Sequence, residues 1–418
     1  MGGFAESSFS DVSNKGLLES INEGDDVFEV GEGGSIIACP FIKAGVVYFG
    51  CNDHYLYAVD AESGRELWKF RAEDLVYSPI VYENRIFVGS TDRHLYCLTL
   101  DGKLVWKFRT DGVVRSRPAA INGVVYFGSM DHHVYALDMS GNLIWKFRTD
   151  DCIDLDTTVD EKRVYIGSWD FVFYAINHDG GLAWKFKTQG LAYSGTISGE
   201  YIYFGSFDHY VYKLERESGK LVWKFEMRGA KTWKGITISD GVLYFGSRDK
   251  NLYAVTENGE LVWKFRTHEM VHCTPLVKGD SVYFGSCDEI FYSVDRETGK
   301  LNWKFRTRGA IISSVVSTDG AIIFGSLDCN LYSLTTEGEL KWKFLTSSSS
   351  QGNVKIVESA TSRDDSKKFD IMEQESVRPE VRTEEHEPDR YGDSKSRYGV
   401  DEVEEDGLSS YARKKKYR

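Results

Sequence analysis

The sequence predicts an all-β protein: an eight-bladed β-propeller of four-stranded antiparallel blades with a disordered C-terminal tail. The first observation is a Trp-Lys-Phe triplet that recurs eight times, 38 to 40 residues apart. The second is that each repeat holds short apolar segments rich in Val, Tyr and Phe between Gly, Asp and Ser, as strands between tight turns do. Four strands per repeat of about 40 residues are typical of a propeller blade. The triplets begin at Trp68, Trp106, Trp145, Trp184, Trp223, Trp263, Trp303 and Trp342.

One repeat illustrates the four strands, named A (innermost) to D (outermost). Residues 124–131 predict strand B and a turn, residues 133–138 predict strand C, and Trp145 lies on strand D. The apolar stretches that follow each triplet, such as 76–82 and 271–277, predict strand A of the next blade.

The repeated Trp and a repeated Asp have structural explanations. An indole on the outermost strand is expected to lie flat against the neighbouring blade and to bury about 150–250 Å². At about 25 cal/mol per Å², that burial is worth about 4 to 6 kcal/mol before opposing costs. The Asp of each B-to-C turn is expected to accept backbone N–H groups and hold the turn. These residues are Asp53, Asp92, Asp131, Asp170, Asp208, Asp249, Asp288 and Asp328.

The chain divides into three parts by composition. Residues 1–26 form a flexible acidic segment, 27–347 the propeller, and 348–418 a charged tail with too few apolar residues to fold alone. Residues 27–30 are a candidate for an extra strand at the ring closure. The tail is either a solvating extension or a source of short linear contacts, through Arg-Tyr-Gly at 390–392 and 397–399, the acidic run 401–406 and the basic run 413–416.

Charge and cysteine usage exclude several classes. With 51 Lys and Arg against 64 Asp and Glu, the formal charge of −13 disfavours a general nucleic-acid binder, and only the basic C-terminus could contact nucleic acid. No secretory signal and no apolar run long enough to cross a membrane is evident. Seven scattered cysteines without a Cys-x-x-Cys motif fit a reduced compartment. We therefore expect a monomeric cytoplasmic protein with no membrane contact.

The D-to-A loops vary most among the repeats and supply the candidate binding residues. Their side chains are expected to point toward one mouth of the central channel and to face water there. They form either a solvated funnel or a site for an extended peptide or small ligand, since Arg and Trp are enriched at interface hot spots. Trp169, in a B-to-C turn, and Trp233 lie outside the triplets and are expected on the same face. The predicted site comprises Tyr77, Arg115, Arg117, Asp154, Asp156, Trp169, Tyr193, Trp233, Lys234 and His272.

The sequence contains none of the common catalytic or phosphate-binding motifs. No phosphate-binding loop, nucleophile elbow or zinc-protease motif is present. His268, Glu269, His272 and Cys273 form the densest metal-capable cluster, but their spacing is poor for zinc. We predict no catalytic residues, no metal site and no cofactor.

Two repeats carry a family resemblance. Residues 58–68 read Ala-Val-Asp-Ala-Glu-Ser-Gly-Arg-Glu-Leu-Trp, and 293–303 read Ser-Val-Asp-Arg-Glu-Thr-Gly-Lys-Leu-Asn-Trp. They resemble the Trp-docking motif of the PQQ-like (pyrroloquinoline quinone) propeller repeat family, over about three quarters of the chain. That family includes quinoprotein dehydrogenases, which bind the quinone and calcium, often beside an adjacent Cys-Cys disulfide and an Asp base. It also includes the propeller lipoprotein of outer-membrane assembly.

The resemblance implies the fold and a disposition to bind proteins. This chain has no Cys-Cys pair, and it lacks the leader and lipid-bearing Cys of the outer-membrane protein. We therefore predict a non-catalytic scaffold of the non-enzymatic branch, which presents its loop faces and central funnel to a partner protein. The alternatives are a quinone- and calcium-dependent dehydrogenase-like enzyme, and a small-molecule or glycan sensor that uses the funnel.

Overall fold

The computed structural model describes residues 34–227 and 234–346. Within them, the chain forms eight four-stranded sheets in which neighbouring strands are antiparallel and follow one another in sequence. This confirms the predicted eight-bladed propeller. The predicted segments 1–26 and 348–418, and the candidate strand 27–30, lie outside the described residues. No helix in the described ranges is long and apolar enough to span a membrane.

The strands of the eight blades are numbered β1 to β32 in chain order. Strands A are β1 Phe41–Lys43, β5 Ile80–Tyr82, β9 Ala119–Ile121, β13 Thr158–Val159, β17 Thr196–Ser198, β21 Thr237–Ser239, β25 Leu276–Lys278 and β29 Val316–Ser317. Strands B are β2 Val46–Gly50, β6 Arg85–Gly89, β10 Val124–Ser129, β14 Arg163–Gly167, β18 Tyr201–Gly205, β22 Val242–Gly246, β26 Ser281–Gly285 and β30 Ile322–Gly325.

The outer half of each blade has longer strands, and its C-to-D ladder contains a register shift in every blade. Strands C are β3 Tyr55–Asp60, β7 His94–Thr99, β11 His133–Asp138, β15 Val172–Asn177, β19 Tyr210–Glu215, β23 Asn251–Thr256, β27 Ile290–Asp295 and β31 Asn330–Leu334. Strands D are β4 Glu66–Arg71, β8 Leu104–Arg109, β12 Leu143–Arg148, β16 Leu182–Lys187, β20 Leu221–Glu226, β24 Leu261–Arg266, β28 Leu301–Arg306 and β32 Leu340–Leu345.

Strand A is shorter than the sequence predicted. The apolar stretches 76–82 and 271–277 were expected to be strand throughout, but the ladders begin only at Ile80 and Leu276. Pro79 and Pro275 immediately precede these strands. Proline has no N–H to donate to a ladder, which suits a residue just before a strand. Strand β17 begins at the equivalent place after Gly195, so the short strand A is a property of the blade and does not require proline.

Each blade joins the next through its Trp. The indole N–H of Trp68 donates to the carbonyl of Leu100 in the C-to-D turn of the next blade, at 2.9 Å. The indole face rests on Gly102, where an added Cβ would lie 2.6 Å from the ring. The same N–H to carbonyl bond recurs at all eight triplets, between 2.7 and 3.1 Å. The predicted docking of each indole on the neighbouring blade is therefore confirmed.

The core lies between the blades. Eight clusters of buried side chains each combine residues of two adjacent blades, including one that joins the last blade to the first. In that cluster Phe49 of the first blade packs edge-on against Phe344 of the eighth, with ring centroids 6.0 Å apart. Among the described strands none is shared between the terminal blades, and packing of this kind joins the two blades there.

The turn aspartates hold three segments together. Asp131 Oδ1 accepts the N–H of His133, 3.2 Å away, as predicted for the turn. Its Oδ2 accepts the N–H of Asp111 in the preceding D-to-A loop and the hydroxyl of Tyr135 on strand C, at 3.0 and 2.7 Å. The Tyr-to-Asp bond, four residues apart, recurs in all eight blades. The sequence analysis had not predicted this bond.

Candidate functional site

The D-to-A loops and B-to-C turns of all blades lie at the same end of the antiparallel strands, which we call the loop face. The predicted site residues there occupy two levels. The outer level is formed by Tyr77, Arg115, Asp154, Tyr193 and His272. The inner level is formed by Arg117 and Asp156, two residues before their strands A, and by the side chain of Lys234, which extends to Cys39. Trp233 lies outside the described residues.

The outer level is largely buried, which corrects the expectation that these side chains face water. Tyr77, Arg115, Tyr193 and His272 are each at most 9% exposed. The Arg115 guanidinium lies 5.9 Å from the centroid of the Tyr77 ring, so a blade's loop covers the aromatic side chain of its neighbour. The loops pack against one another at this level because each contributes a bulky side chain to the same narrow space.

A hydrogen bond joins Asp154 of the outer level to Trp169 in a neighbouring B-to-C turn. The indole Nε1 of Trp169 donates to Asp154 Oδ1 at 2.7 Å. Burial raises the pKa of Asp154, while the bond from Trp169 and the charge of Arg115 act in the opposite direction. Trp169 also packs beside Leu155 and Tyr193 and remains half-buried. The structure thus places Trp169 in a B-to-C turn on the loop face, as predicted.

His272 is held neutral in this layer. Burial, reinforced by the nearby positive charges of Arg248 and Lys234, lowers its pKa to about 3. The metal-capable cluster suggested by the sequence around it does not assemble. Glu269 forms an ion pair with Lys250 at 3.0 Å, and the Cys273 thiol is buried and donates to the carbonyl of Gly285 at 3.2 Å.

The inner level opens into the central channel. A cavity of about 670 Å³ runs along the strands A and is lined by residues of all eight blades. Arg117 and Asp156 line it, whereas the five outer-level residues do not. The other lining residues are uncharged and include the aromatic residues Phe41 and Tyr82, so Arg117 and Asp156 are the charged side chains of the lining.

Lys234 reaches across the channel. It precedes strand A of the sixth blade, yet its Nζ lies 3.3 Å from the carbonyl oxygen of Ile37 and 3.8 Å from Cys39 Sγ in the first blade. The Cys39 thiol donates to Ser314 Oγ of the eighth blade at 3.0 Å. Burial raises the pKa of Cys39, but Lys234, Arg117 and the Ser314 hydroxyl outweigh that effect, so its pKa is lowered.

Arg117 adds a second cation, which also lies near the first blade. Its guanidinium carbon lies 5.8 Å from the centroid of the Phe41 ring, and its backbone N–H donates to Asp156 Oδ1 at 3.3 Å. Within the described residues, neither Arg117 nor Lys234 forms an ion pair with a carboxylate at 4.0 Å or less. The described channel is therefore positively charged at this level.

Cys39 is a site residue that the sequence analysis missed. It lies two residues before strand A of the first blade, the position that Arg117 and Asp156 occupy in their own blades. Extending the repeat comparison to the first blade would have identified its position. The contact with Lys234 would still have been hidden, because the two residues are 195 positions apart.

The channel does not fit the calcium and quinone centre of the family's enzymes. Calcium takes six to eight oxygen ligands. The predicted site offers two carboxylates, and each is already engaged: Asp154 by Trp169 and Asp156 by the backbone of Arg117. Arg117 and Lys234 would in addition repel a divalent cation.

Comparisons with known proteins agree with the fold. The family model for outer membrane protein assembly factor BamB matches residues 14–146, 100–206 and 208–385 of this chain. The quinoprotein alcohol dehydrogenase PedH of Pseudomonas putida is 31% identical over 102 residues, which cover 21% of this chain and 17% of PedH. The match therefore spans only a small part of that enzyme.

Two solved structures share the architecture. The computationally designed Ika8 protein has a TM-score of 0.65 and 15% identity, over 74% of this chain and 98% of Ika8. BamB of Moraxella catarrhalis has a TM-score of 0.60 and 16% identity, over 72% of this chain and 93% of BamB. At this identity the two structures support the fold alone. Because the family model covers most of the propeller, the chain belongs to the BamB-like family of PQQ-type repeat β-propellers.

Proposed function

We propose that the chain is a non-catalytic scaffold that binds a partner protein through its loop face. The observation that carries this proposal is that the side chains on the loop face differ from blade to blade, although the contacts that hold the blades together repeat. At equivalent places before strand A the blades present Ser78, Arg117, Asp156, Ser194 and Thr274, while the Trp docking and the Asp-Tyr bonds stay the same. Side chains that vary while the frame is constant are free to serve recognition.

The chemistry of the exposed part of this face suits a protein ligand. Trp169 is half-buried and offers an apolar surface next to a carboxylate, and Arg117 offers a guanidinium without a carboxylate partner among the described residues. Aromatic and Arg side chains are enriched at interface hot spots. The family description as an assembly factor is consistent with this role.

The proposal is tested by affinity capture from native lysate with matched variants. Trp169→Ala and Arg117→Ala alter the loop face, and Val105→Ser, an exposed outer-strand position, serves as the control. We expect a partner that is retained by the intact chain and by Val105→Ser but lost from both loop-face variants. A partner retained equally by all three variants would move the interface elsewhere, and a chain truncated after residue 347 would show whether it lies in the tail.

A second candidate, a sensor of a small anionic molecule, is favoured by the charge of the channel. Arg117 lines a cavity of about 670 Å³, within the volume range of small-molecule sites, and the Lys234 ammonium contacts Cys39, which lines the same cavity. Native mass spectrometry of the purified chain tests this directly. A bound anion that disappears in Arg117→Met and Lys234→Met would support a sensor, and an unliganded chain that is not stabilised by phosphate or carboxylates would count against it.

A further inference from the structure

One cluster of metal-binding side chains lies on the loop face, away from the channel residues described above. His132 lies in the B-to-C turn of the third blade, and Asp151 and Cys152 lie in the loop between β12 and β13. One donor atom from each of these residues falls within 4.8 Å of the other two. The sequence analysis predicted no metal site, and the 18 residues between His132 and Asp151 conceal the cluster.

The backbone around the cluster is fixed by hydrogen bonds. The N–H and hydroxyl of Thr149 both donate to the carbonyl of His132, at 2.9 and 3.1 Å, and the same hydroxyl contacts the carbonyl of Asp151 at 2.7 Å. The N–H of Trp169 donates to the carbonyl of Cys152 at 3.0 Å. The turn and the loop are thus held together before any ion binds, which lowers the entropic cost of binding.

The other blades show that the scaffold does not require these residues. At the place of Cys152 the loop that enters the first blade carries Ser35, and five others carry the apolar residues Leu75, Val113, Leu191, Met270 and Ala310. At the places of His132 and Asp151 the sixth blade and its following loop carry Lys250 and Glu269, which form an ion pair at 3.0 Å. That pair shows that side chains at these two positions reach each other.

We propose that His132, Asp151 and Cys152 bind a zinc ion. Imidazole nitrogen, carboxylate oxygen and thiolate sulfur are the three donor types that zinc takes in proteins, and three protein ligands leave a fourth tetrahedral position for water. His132 and Cys152 are half-buried, so an ion can reach them from solvent.

Binding requires that the thiol lose its proton. The Cys152 thiol donates to the carbonyl of Met130 at 3.3 Å, and burial together with the Asp151 carboxylate raises its pKa to about 11. Zinc replaces that proton: a sulfur–zinc bond forms and one proton is released to solvent, with no change of oxidation state. Affinity therefore rises with pH.

The first blade supplies a matched control. His54 and Asp74 occupy the places of His132 and Asp151, and Asp74 Oδ1 accepts the N–H of Leu75 at 2.8 Å just as Asp151 Oδ1 accepts that of Cys152 at 2.7 Å. Only the thiol is missing there. Leu75→Cys should therefore create a second site in the same chain.

The experiment titrates the full chain, freed of metal, with Co²⁺ as a spectroscopic probe for zinc. We expect one equivalent to produce a near-ultraviolet thiolate-to-cobalt charge-transfer band that Zn²⁺ abolishes. Cys152→Ser should remove the band, and His132→Ala should weaken metal binding by at least about 10-fold. The control variant Cys287→Ser should leave the band and the affinity for the metal ion unchanged. Leu75→Cys should add a second equivalent.

Two results of the cobalt titration would overturn the proposal. No charge-transfer band in the intact chain, or the same band and affinity in Cys152→Ser, would show that this cluster is not a zinc site. Circular dichroism of each variant verifies that the propeller remains folded, and the gain of a site in Leu75→Cys does not depend on any loss of structure.

Discussion

Trp342 on the last strand donates its indole N–H to the carbonyl oxygen of Ala61 in the first blade, 3.1 Å away. The ring of Trp342 rests on Gly64 of the same turn, where an added Cβ would lie 2.6 Å from the indole. This contact repeats, across the ring closure, the docking that joins every other pair of blades. The closure therefore uses the same aromatic contact as the other junctions, together with the cluster beneath it and with hydrogen bonds such as that from Cys39 to Ser314.

Gly64→Ala should destabilise the propeller more than Gly45→Ala. Both glycines have positive φ, +70° and +75°, so both substitutions incur about 1–2 kcal/mol of backbone strain. Only Gly64 faces the indole, and the overpacking should add about 1–3 kcal/mol. Denaturant unfolding followed by Trp fluorescence measures the difference. Equal losses in the two variants would mean that Trp342 does not press on Gly64.

The Asp-Tyr bonds should make the propeller sensitive to alkali. Burial raises the pKa of Tyr135, and the hydrogen bond and charge of Asp131 raise it further. Because an unfolded tyrosine ionises near pH 10, the stability from this bond is complete below that pH and is lost as the pH rises above it. Tyr135→Phe should cost about 1 kcal/mol near pH 8 and show a shallower loss of stability above pH 10. Parallel pH profiles for the two chains would contradict this expectation.

His272 should make the propeller sensitive to acid. Its pKa is about 3 in the folded chain, whereas an unfolded histidine titrates near 6.5. The stability it contributes is therefore present above pH 6.5 and is lost as the pH falls from 6.5 toward 3, by at most about 1.4 kcal/mol per pH unit. His272→Gln should flatten the unfolding free energy over that interval. His268→Gln, an exposed position in the same loop, should leave the profile unchanged.

Cys39 should react with a small alkylating reagent before the similarly buried Cys97 and Cys273 do. Lys234 and its neighbours lower the pKa of Cys39, whereas burial raises the pKa of Cys97 and of Cys273 to about 12. Since the thiolate is the nucleophile, iodoacetamide at neutral pH should label Cys39 ahead of these two. Lys234→Met should slow the labelling of Cys39, which peptide mapping by mass spectrometry measures. Unchanged labelling in this variant would show that the ammonium does not activate the thiol.

Calcium and pyrroloquinoline quinone should produce no saturable spectral change when added to the purified chain. The predicted site offers only Asp154 and Asp156 as carboxylates, and the channel carries the positive charges of Arg117 and Lys234. An absorbance titration of the quinone, with and without calcium, measures this. A saturable shift at one equivalent would favour the dehydrogenase-like alternative.

The fold was predictable because its determinants are local and repeated. Trp68 and its seven counterparts fix the period, and the turn Asp fixes where strands B and C separate. The start of strand A was predicted too early, because an apolar stretch does not reveal where its ladder with strand B begins. Asp92 and Tyr96 were both visible in the repeat, but their bond requires a geometry that the spacing alone does not show.

The site was predictable only as a set of candidates. Variation among repeats located Arg115 and Arg117 on the loop face, but it could not show that Arg115 is buried and that Arg117 lines the channel. Those outcomes depend on how eight loops share the space near the axis. Contacts between distant blades, such as Lys234 with Cys39, follow from the closed ring and have no local signature.

The manner of ring closure has a consequence for where the chain can be cut. Each blade is a contiguous run of four strands, and every junction between blades, including the one at Trp342 and Ala61, uses the same contact. The contacts between blades therefore do not distinguish the first blade in the chain from any other blade. Circular permutation at a blade boundary would exchange one junction for another of the same kind, and the propeller would keep its form with new termini.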